Sequence, residues 1–595
     1  MKRFDLSICL LLFFFATAAL VTPAHSTTPL EISISRFPNL SSAISSPTTA
    51  KKAIVIDRTV TANNLTISPD RGINVIKGGL ITINNGKLLK IESLEAGAYQ
   101  IFAGTGTVTG LKKSRPEWFG STDNQAEIQK AFNSVKRTAA VIFSPKTYRM
   151  NGGVVTAQSV EIQGNNTTLL QTGTTGYSPL LYIANAIQNG TPHPAYPGTV
   201  ATFTGDLAKG QSTITVNNSA GFAVGDTVVL FLGQDPYDAG QHKIRLWRKI
   251  NTINGKSLSF DSPIDEDVSG KFINTYPGIS PTTHRLVKFT NDIDNVKVND
   301  LNLKQADGIA ADAALLMLRM RNVTVENIRI DGVRSLAIGE VQNATVKNIA
   351  SNTQQGMDIY GVRNFQMSDV VISGVTTPAL YIENQVRGAT FENFTIHCSP
   401  NKAPGPLIPI YGGSTGVVLK RFTIYMPALG VPVMTVLNQG SEYQTEDFTL
   451  LGSHQGFPLS NHFGYINYKG VQYGHIKRFT RTIPITKNMV NTVIDLPDGL
   501  YKSFKVFIKS KSGLRDTYLT PGNYTVKIGA TDYIPEEGTF DELTGGGYTT
   551  IGSSYPWNEL PSKKLRINTD ATVPEGNYMM IKIETFTKNG KPAFL

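Results

Sequence analysis

The sequence predicts an all-β protein wound as a right-handed parallel β-helix, and three observations support this. A nine-residue pattern returns at short intervals through the middle of the chain, apolar and polar residues alternate within it, and helical periodicity is almost absent. The full prediction adds an N-terminal capping helix, a β-rich insertion and a C-terminal β-sandwich to this coil.

The repeat identifies the coil. It begins as NVKVNDLNL at Asn295 and returns at Asn322, Asn343, Asn364, Gly388 and Gly416. Successive starts are 27, 21, 21, 24 and 28 residues apart, which suits one turn of a solenoid and is far too short for a domain.

Each repeat contains two short runs of period two around a polar corner. In the unit from Asn322, Val323, Val325, Ile328 and Ile330 would point inward and stack on their equivalents one coil away. The corner residue is often Asn, whose amide can hydrogen-bond along a ladder. The pattern therefore predicts stacked strands with asparagine ladders at the corners.

The first residues have the order of a cleavable export signal. Met-Lys-Arg is followed by an apolar run from Leu6 to Leu20 and by small residues at Ala24 and Ser26. We expect a secreted or periplasmic protein with no membrane association after cleavage; a single N-terminal anchor is the alternative. Cleavage leaves Cys398 alone, so no internal disulfide is expected.

Composition shifts divide the chain into regions. Residues 1–26 form the signal peptide, 27–114 a β-rich N-terminal region and 115–480 the β-helix. Hairpin-like segments at about 199–285 interrupt the repeat, and 481–595 alternate as in an antiparallel β-sandwich. The C-terminal region fits a carbohydrate-binding module, an oligomerisation module or a plain cap.

An amphipathic segment from Ser121 to Val135 predicts the capping helix, with an N-cap among Ser121 to Asp123. It follows RPEWFG at Arg115 to Gly120 and precedes AAVIFSPKTYRM. Together these segments resemble the N-terminal signature of the pectate-lyase-like β-helix superfamily. The resemblance implies the fold and a protein related to hydrolases, lyases, epimerases or phage tailspikes. It does not imply one activity.

The chain has a formal net charge of +11, but the sequence contains no long run of Lys or Arg residues. This disfavours nucleic acid as a partner and permits an acidic polysaccharide. Lys243, Arg245, Trp247 and Arg248 of the insertion could meet such a chain, or could be an ordinary strand with one buried Trp.

The segment GMDIYGVRN at Gly356 to Asn364 carries the candidate site. If Met357 and Ile359 face the core, Asp358 and Tyr360 face outward. The same reasoning places Tyr381 and Glu383 on the outer face one coil further on. Two coils before Asp358, inward Leu316 and Leu318 would leave Met317 and Arg319 outside.

Two reactions fit this face. Asp358 and Glu383 lie diagonally on neighbouring coils and could act as an acid and a base in glycoside hydrolysis, with Glu340 as a spare carboxylate. Tyr360, Tyr381 and Tyr411 would offer flat surfaces for sugar rings. In elimination, Arg319, Arg363 and Arg387 would clamp a substrate carboxylate, with Tyr360 as base or acid.

Other possibilities stay open at this point. No tight acidic cluster is visible, so no metal or other cofactor is predicted, although Ca²⁺ is possible. Epimerisation shares the proton removal of elimination. A non-catalytic polysaccharide-binding or adhesin-like β-helix is the competing class, and a phage tailspike is opposed by the signal peptide. A homo-oligomer is also possible.

Overall fold

The computed structural model describes most of residues 30–426, with side chains to residue 425, and a series of strands from there to residue 588. Undescribed are 1–29, 51, 123, 175–178, 186, 189–190, 193–197, 235–241, 273–281, 310–312 and 401–405, and most residues between the strands beyond Met426. The predicted signal peptide lies outside the described residues. None of the helices in the described part of the chain has the length and apolar character needed to cross a membrane.

The chain divides into two compact units, residues 1–109 and 110–595. In the first unit, short strands pair in parallel in three sheets, so this unit is itself a small β-solenoid. Its strands are Glu31–Ser33, Ala53–Ile56, Thr59–Thr61, Leu65–Thr66, Ile73–Val75, Leu80–Thr82, Leu88–Lys90, Leu94–Ala96, Phe102–Ala103 and Thr107–Thr109. Its helical segments are Ile34–Arg36, Leu40–Ser45 and Pro47–Thr49.

The second unit contains the main coil, built from alternating short and long strands. One sheet, here named the short-strand sheet, comprises Val154–Thr156, Leu181–Ala184, Leu315–Leu318, Leu336–Gly339, Met357–Tyr360, Leu380–Glu383, Ile408–Ile410 and Met434–Val436. The other, the long-strand sheet, runs through Leu111–Ser114, Val135–Ile142, Thr147–Met150, Val160–Gln171, Asp294–Gln305, Arg321–Arg334, Gln342–Gln355, Arg363–Val375, Arg387–Cys398, Thr415–Met426 and Tyr443–Gly452. All of these strands pair in parallel, so the predicted solenoid is confirmed.

The predicted asparagine ladders are present at two corners of the coil. The Asn343 amide donates to Asn322 at 3.0 Å, and the Asn364 amide donates to Asn343 at 3.1 Å. At the second corner the Asn348 amide donates to Asn327 at 2.7 Å. All these asparagines have positive φ, a conformation that Asn tolerates better than most residues, which explains why the repeat uses it.

The predicted amphipathic helix is Gln125–Ser134 and is preceded by a short 3-10 turn, Pro116–Trp118. Its N-cap is Asn124, one residue after the predicted Ser121 to Asp123, because Asn124 and Glu127 form a reciprocal capping box. Gln125 and Gln129 donate to the carbonyls of Gly153 and Val155 at 2.7 and 2.8 Å. The helix thus satisfies backbone groups at the edge of the short-strand sheet.

The RPEWFG motif serves packing. Trp118 is fully buried, and Glu117 accepts a hydrogen bond from the Tyr148 hydroxyl and pairs with the Lys146 ammonium at 3.3 Å. Burial acts to raise the pKa of Glu117, but the bond from Tyr148 and its other contacts outweigh it and hold the pKa low. The motif therefore anchors the chain before the helix to the first coil.

The β-rich insertion is an antiparallel sheet of six strands that leaves the coil after Ala184 and returns before Asp294. Its strands are Gly198–Phe203, Thr213–Thr215, Thr227–Leu232, Ile244–Asn254, Ser257–Phe260 and His284–Phe289, with a small hairpin at Ile187–Gln188 and Thr191–Pro192 before them. The sheet has a core of its own, which includes Leu230, Leu246 and Leu286.

Side chains at one register position of the long-strand sheet bind the insertion. Arg321, Gln342, Arg363 and Arg387 stack on successive coils, and we name them the corner ladder. Their contacts to the insertion are, in order along the ladder, Arg321 to Thr227 at 3.1 Å, Gln342 to the Trp247 amide at 3.1 Å, Arg363 to Asp265 at 2.6 Å and to Glu266 at 3.1 Å, and Arg387 to Glu266 at 3.2 Å.

Glu266 joins two arginines of the corner ladder, so its removal should loosen the insertion. We expect Glu266→Ala to cost about 1 kcal/mol of stability, because the charge-assisted bonds are partly shielded from water. Exchange of the backbone amide hydrogens should accelerate in the strand Ile244–Asn254. The backbone amides of the asparagine ladder residues should keep their protection. Glu326→Ala is the control, since Glu326 takes no part in these ion pairs. Equal exchange in both variants would contradict the assigned role.

The strands beyond the coil are Ile466–Tyr468, Val471–Ile485, Thr492–Asp495, Leu500–Lys509, Tyr524–Ile528, Thr531–Tyr533, Glu536–Glu537, Lys564–Thr569 and Asn577–Lys588. Most of their pairings are antiparallel, but Ile466–Tyr468 pairs in parallel with Tyr443–Gly452, and Glu536–Glu537 pairs in parallel with Leu500–Lys509. Val471–Ile485 and Leu500–Lys509 both pair with Asn577–Lys588, and Thr492–Asp495 pairs with Lys564–Thr569 in a separate sheet.

Candidate functional site

The outer face of the short-strand sheet carries the candidate site. Asp358 is aligned with Tyr381, and Tyr360 with Glu383, as the alternation predicted. Met357, Ile359, Leu380 and Ile382 are fully buried in the core. The strands thus present carboxylates and phenols on adjacent coils of one surface.

The predicted register of Leu315–Leu318 is wrong by one residue. Leu316 is aligned with Ala337 and Leu318 with Gly339, whereas Met317 lies in the core. All four residues of this strand are apolar and buried, so no alternation marks the outward side. The residue of this strand that is in register with Gly339 is therefore Leu318 and not Arg319.

The carboxyl of Asp358 occupies an unusual environment. The side chain is half-buried, and its buried Oδ1 has no hydrogen-bond partner among the described residues. Burial raises the pKa of the Asp358 carboxyl, and the positive charge of Arg334 offsets only part of the rise. Such a group holds its proton to higher pH than an ordinary aspartate does, which is the property that a general acid needs.

Tyr360 lies over the preceding coil, above Gly339. A Cβ on Gly339 would overlap the Tyr360 ring, so only glycine leaves space for it. Burial, followed by the negative charges of Glu340 and Asp358, raises the pKa of the Tyr360 phenol. Tyr360 therefore keeps its proton at neutral pH, which suits a hydrogen-bond donor or the acid of an elimination mechanism, and not the base.

Glu340 lies at the corner that follows the short strand. It pairs with Arg319 at 2.8 Å and with Arg245 of the insertion at 3.2 Å. Burial acts to raise the pKa of Glu340, but the two guanidiniums outweigh it and hold the pKa below its ordinary value. The insertion thus contacts the candidate site through the ion pair of Arg245 with Glu340. Both Arg319 and Glu340 have positive φ, a strained backbone conformation that persists where surrounding contacts fix it.

Tyr381 and Tyr411 form a stacked pair beside the carboxylates. Their ring centroids are 6.1 Å apart with an interplanar angle of 29°. Burial and the charge of Glu383 raise the pKa of both phenols, so both retain their hydroxyl protons. Two partly exposed rings in a row are a suitable surface for sugar rings.

The other predicted arginines have structural partners. Arg363 and Arg387 belong to the corner ladder and pair with Asp265 and Glu266. Of the remaining cations of the insertion, Arg248 is buried and donates to the carbonyls of Ser262 and Pro263.

Arg334, Gly339 and Arg245 were not assigned to the site from sequence, although each shapes it. Arg334 ends the strand Arg321–Arg334 and acts on the charge of Asp358. It lies outside the nine-residue pattern, so the repeat gave no signal for it. The sequence did contain one indication for Gly339, because a glycine occupies the outward position one coil before Tyr360.

We expect Gly339→Ala to displace the Tyr360 ring, because the new methyl group would overlap it. The displacement should cost about 1–3 kcal/mol, as overpacking does, and any activity should fall with it. Thermal unfolding of Gly339→Ala, Tyr360→Ala and the double variant forms the test. If the overlap is the cause, the glycine substitution costs much less in the Tyr360→Ala background. Strict additivity would contradict this explanation.

Within the described residues, no group of three or more His, Cys, Asp and Glu side chains is placed to hold a metal ion. The carboxylates of the site are spread over successive coils.

No family model and no curated protein matches the chain. Among solved structures, the chain is similar to the tailspike gp61 of Pseudomonas phage phi297, with 11% identity and a TM-score of 0.30 over 78% of this chain and 91% of that one. It is also similar to the gp54 tailspike of Acinetobacter baumannii bacteriophage AP22, solved with a capsular saccharide, with 9% identity and a TM-score of 0.24 over 75% and 91% of the two chains. At this identity and TM-score, neither similarity indicates a function for the chain.

Proposed function

We propose that this protein cleaves a polysaccharide by hydrolysis on the outer face of its short-strand sheet. One observation carries the proposal. The Asp358 carboxyl is half-buried, with a raised pKa and an unbonded buried oxygen within the described structure, and Glu383 stands diagonally from it on the next coil. Two carboxyl groups in unequal environments are the arrangement that glycoside hydrolysis needs.

Asp358 is the general acid. Its raised pKa retains the proton to higher pH than an ordinary carboxyl does, and the half-buried side chain leaves part of the residue open to a glycosidic oxygen. Glu383 is the general base that activates water. Diagonal neighbours on adjacent strands are separated by roughly 7–8 Å, which leaves space for a water molecule and predicts inversion at the anomeric carbon.

The aromatic residues position the sugar. Tyr381 and Tyr411 supply the stacked surface, and Tyr360 donates a hydrogen bond from its protonated hydroxyl. Glu340 holds the corner next to Tyr360 through Arg319 and Arg245. These contacts favour one orientation of the bond to be cleaved.

Hydrolysis is favoured over elimination because the arginines predicted to bind a substrate carboxylate already pair with carboxylates of the protein. Arg319, Arg363 and Arg387 each form an ion pair within the protein. An elimination mechanism would need these guanidiniums to neutralise a substrate carboxylate. Breaking such pairs on substrate binding would be costly.

The proposal also covers the handedness of the coil, its two ends and the location of the protein. We infer a right-handed coil of the pectate-lyase-like type, since parallel crossovers are nearly always right-handed. The helix Gln125–Ser134 is its cap, and the C-terminal strands form a β-sandwich. The protein is exported by its signal peptide, and its basic charge suits an acidic polysaccharide. A homo-oligomer remains compatible with this arrangement.

The test is an assay of the purified mature protein on neutral and acidic polysaccharides, following new reducing ends and the absorbance of unsaturated uronates. We expect new reducing ends without the absorbance. Both signals together would show elimination and overturn the assigned roles. Retention on a polysaccharide column without cleavage would show a binding protein instead.

A further inference from the structure

A groove of about 740 Å³ lies beside the first coil, several coils before the proposed catalytic carboxylates. One wall is the helix Gln125–Ser134, another is the corner that follows the strand Val154–Thr156, and the third is the chain from Thr290 to Asp292 that leaves the insertion. The volume is in the range of small-ligand sites.

The groove is lined mainly by amides and hydroxyls. They come from Gln125, Gln129, Asn133, Thr156, Gln158 and Asn291. Gln129 is fixed in place, since its side chain donates to the Val155 carbonyl at 2.8 Å and accepts from the Val155 amide at 3.0 Å. A rigid polar lining of this kind favours a ligand rich in hydroxyl groups.

The charges of the groove are balanced. Arg137 pairs with Asp292 at 2.9 Å, and Arg321 pairs with the same oxygen at 3.1 Å. The other oxygen of Asp292, Oδ1, is buried and has no hydrogen-bond partner in the described part of the protein. Asp294 also pairs with Arg321, at 2.9 Å, so two carboxylates balance the two guanidiniums and no net charge favours an anion here.

The position of the groove relates it to the proposed site. Val155, which lines the groove, begins the outward ladder that continues through Tyr182, Leu316 and Ala337 to Asp358. Four strand steps of about 4.8 Å give a separation near 19 Å. One polysaccharide chain of several sugar units can span this distance.

From this geometry we propose that the groove is a second saccharide site, which binds an uncharged stretch of polysaccharide. The proposal rests on the proposed function for the identity of the polymer, but the groove binds sugar independently of cleavage. The side-chain amides of Gln158 and Asn291, which line the groove, form hydrogen bonds with the sugar hydroxyls. Occupancy anchors the polymer at a distance from the catalytic carboxylates.

The test uses the full chain carrying Asp358→Asn, so that no probe is consumed. Binding of four neutral hexasaccharides, of the cello, malto, xylo and manno types, is measured by calorimetry, with an oligogalacturonate hexamer as the anionic comparison. We expect at least one neutral probe to bind and the double variant Gln158→Ala, Asn291→Ala to weaken it at least tenfold. Lys130→Ala, on the same helix but outside the groove, should bind as the parent does.

The outcomes separate the two proposals. Binding that survives the double variant, a preference for the anionic probe, or no binding of any neutral probe would each overturn the saccharide site. If the wild-type chain cleaves no polysaccharide but the double variant still abolishes binding, the catalytic proposal fails and the groove stands. With cleavage intact, the double variant should slow turnover of long chains more than that of short ones.

Discussion

Replacing Asp358 with Asn should reduce polysaccharide cleavage by about 10²–10⁴-fold while leaving the fold unchanged. The substitution keeps the shape of the side chain and removes its proton donor. Asn fits the half-buried position, since it needs no ionised form. The measurement is the rate of reducing-end formation, with circular dichroism as the check on folding. The matched control is Asp331→Asn, a change to an exposed carboxylate on the long-strand sheet. An Asp358→Asn variant with full activity would remove Asp358 from the mechanism.

The same substitution should change stability in a pH-dependent way. A carboxyl with a raised pKa is most favourable to the folded state at low pH, and this contribution is lost as pH rises through the folded-state pKa. The wild-type chain therefore bears the cost of burying an ionised carboxylate at higher pH. We expect the melting temperature of Asp358→Asn to exceed that of wild type increasingly as pH rises above the ordinary aspartate pKa of about 3.9, until the carboxyl is ionised in the folded protein. A constant difference would show that burial does not disfavour the ionised form.

Replacing Glu340 with Gln should destabilise the protein by about 3 kcal/mol, because two guanidiniums would lose their shared carboxylate. The Glu340 side chain is only 14% exposed, and Arg245 on the insertion is 7% exposed, so water can replace little of the lost interaction. Chemical denaturation at neutral pH measures the change. Since the pKa of Glu340 is lowered by its partners, its contribution is present above the ordinary glutamate pKa and lost as pH falls.

The difference between wild type and Glu340→Gln should accordingly shrink in acid. A double-mutant cycle with Arg245→Gln isolates the pair and should give a coupling energy of at least about 1 kcal/mol. Independent effects of the two substitutions would show that the insertion is not joined to the site through this pair.

The sequence predicted those parts of the fold that depend on a short, repeated residue pattern. The register of Met357–Tyr360 against Leu380–Glu383 was predictable because apolar and polar residues alternate in both strands. The asparagine corners were predictable because their amides bond along a ladder. In Leu315–Leu318 every residue is apolar, and the alternation that defines the outward side is missing.

The contacts of the insertion could not be predicted in the same way. Arg363 meets Asp265 across 98 positions of sequence, and Trp247 meets Gln342 across 95. No repeat or spacing relates an antiparallel sheet to the solenoid on which it packs. The arginines that looked available for a substrate are consequently paired with the protein's own carboxylates.

The site itself, Asp358 with Glu383 and the tyrosines, is tested most directly by a crystal structure of Asp358→Asn with an oligosaccharide released from the cleaved polymer. We predict a sugar ring stacked on Tyr381 and Tyr411, with its glycosidic oxygen within hydrogen-bonding distance of residue 358 and a water molecule beside Glu383. A saccharide bound on another face, with no contact to residues 358 to 383, would contradict the proposed site.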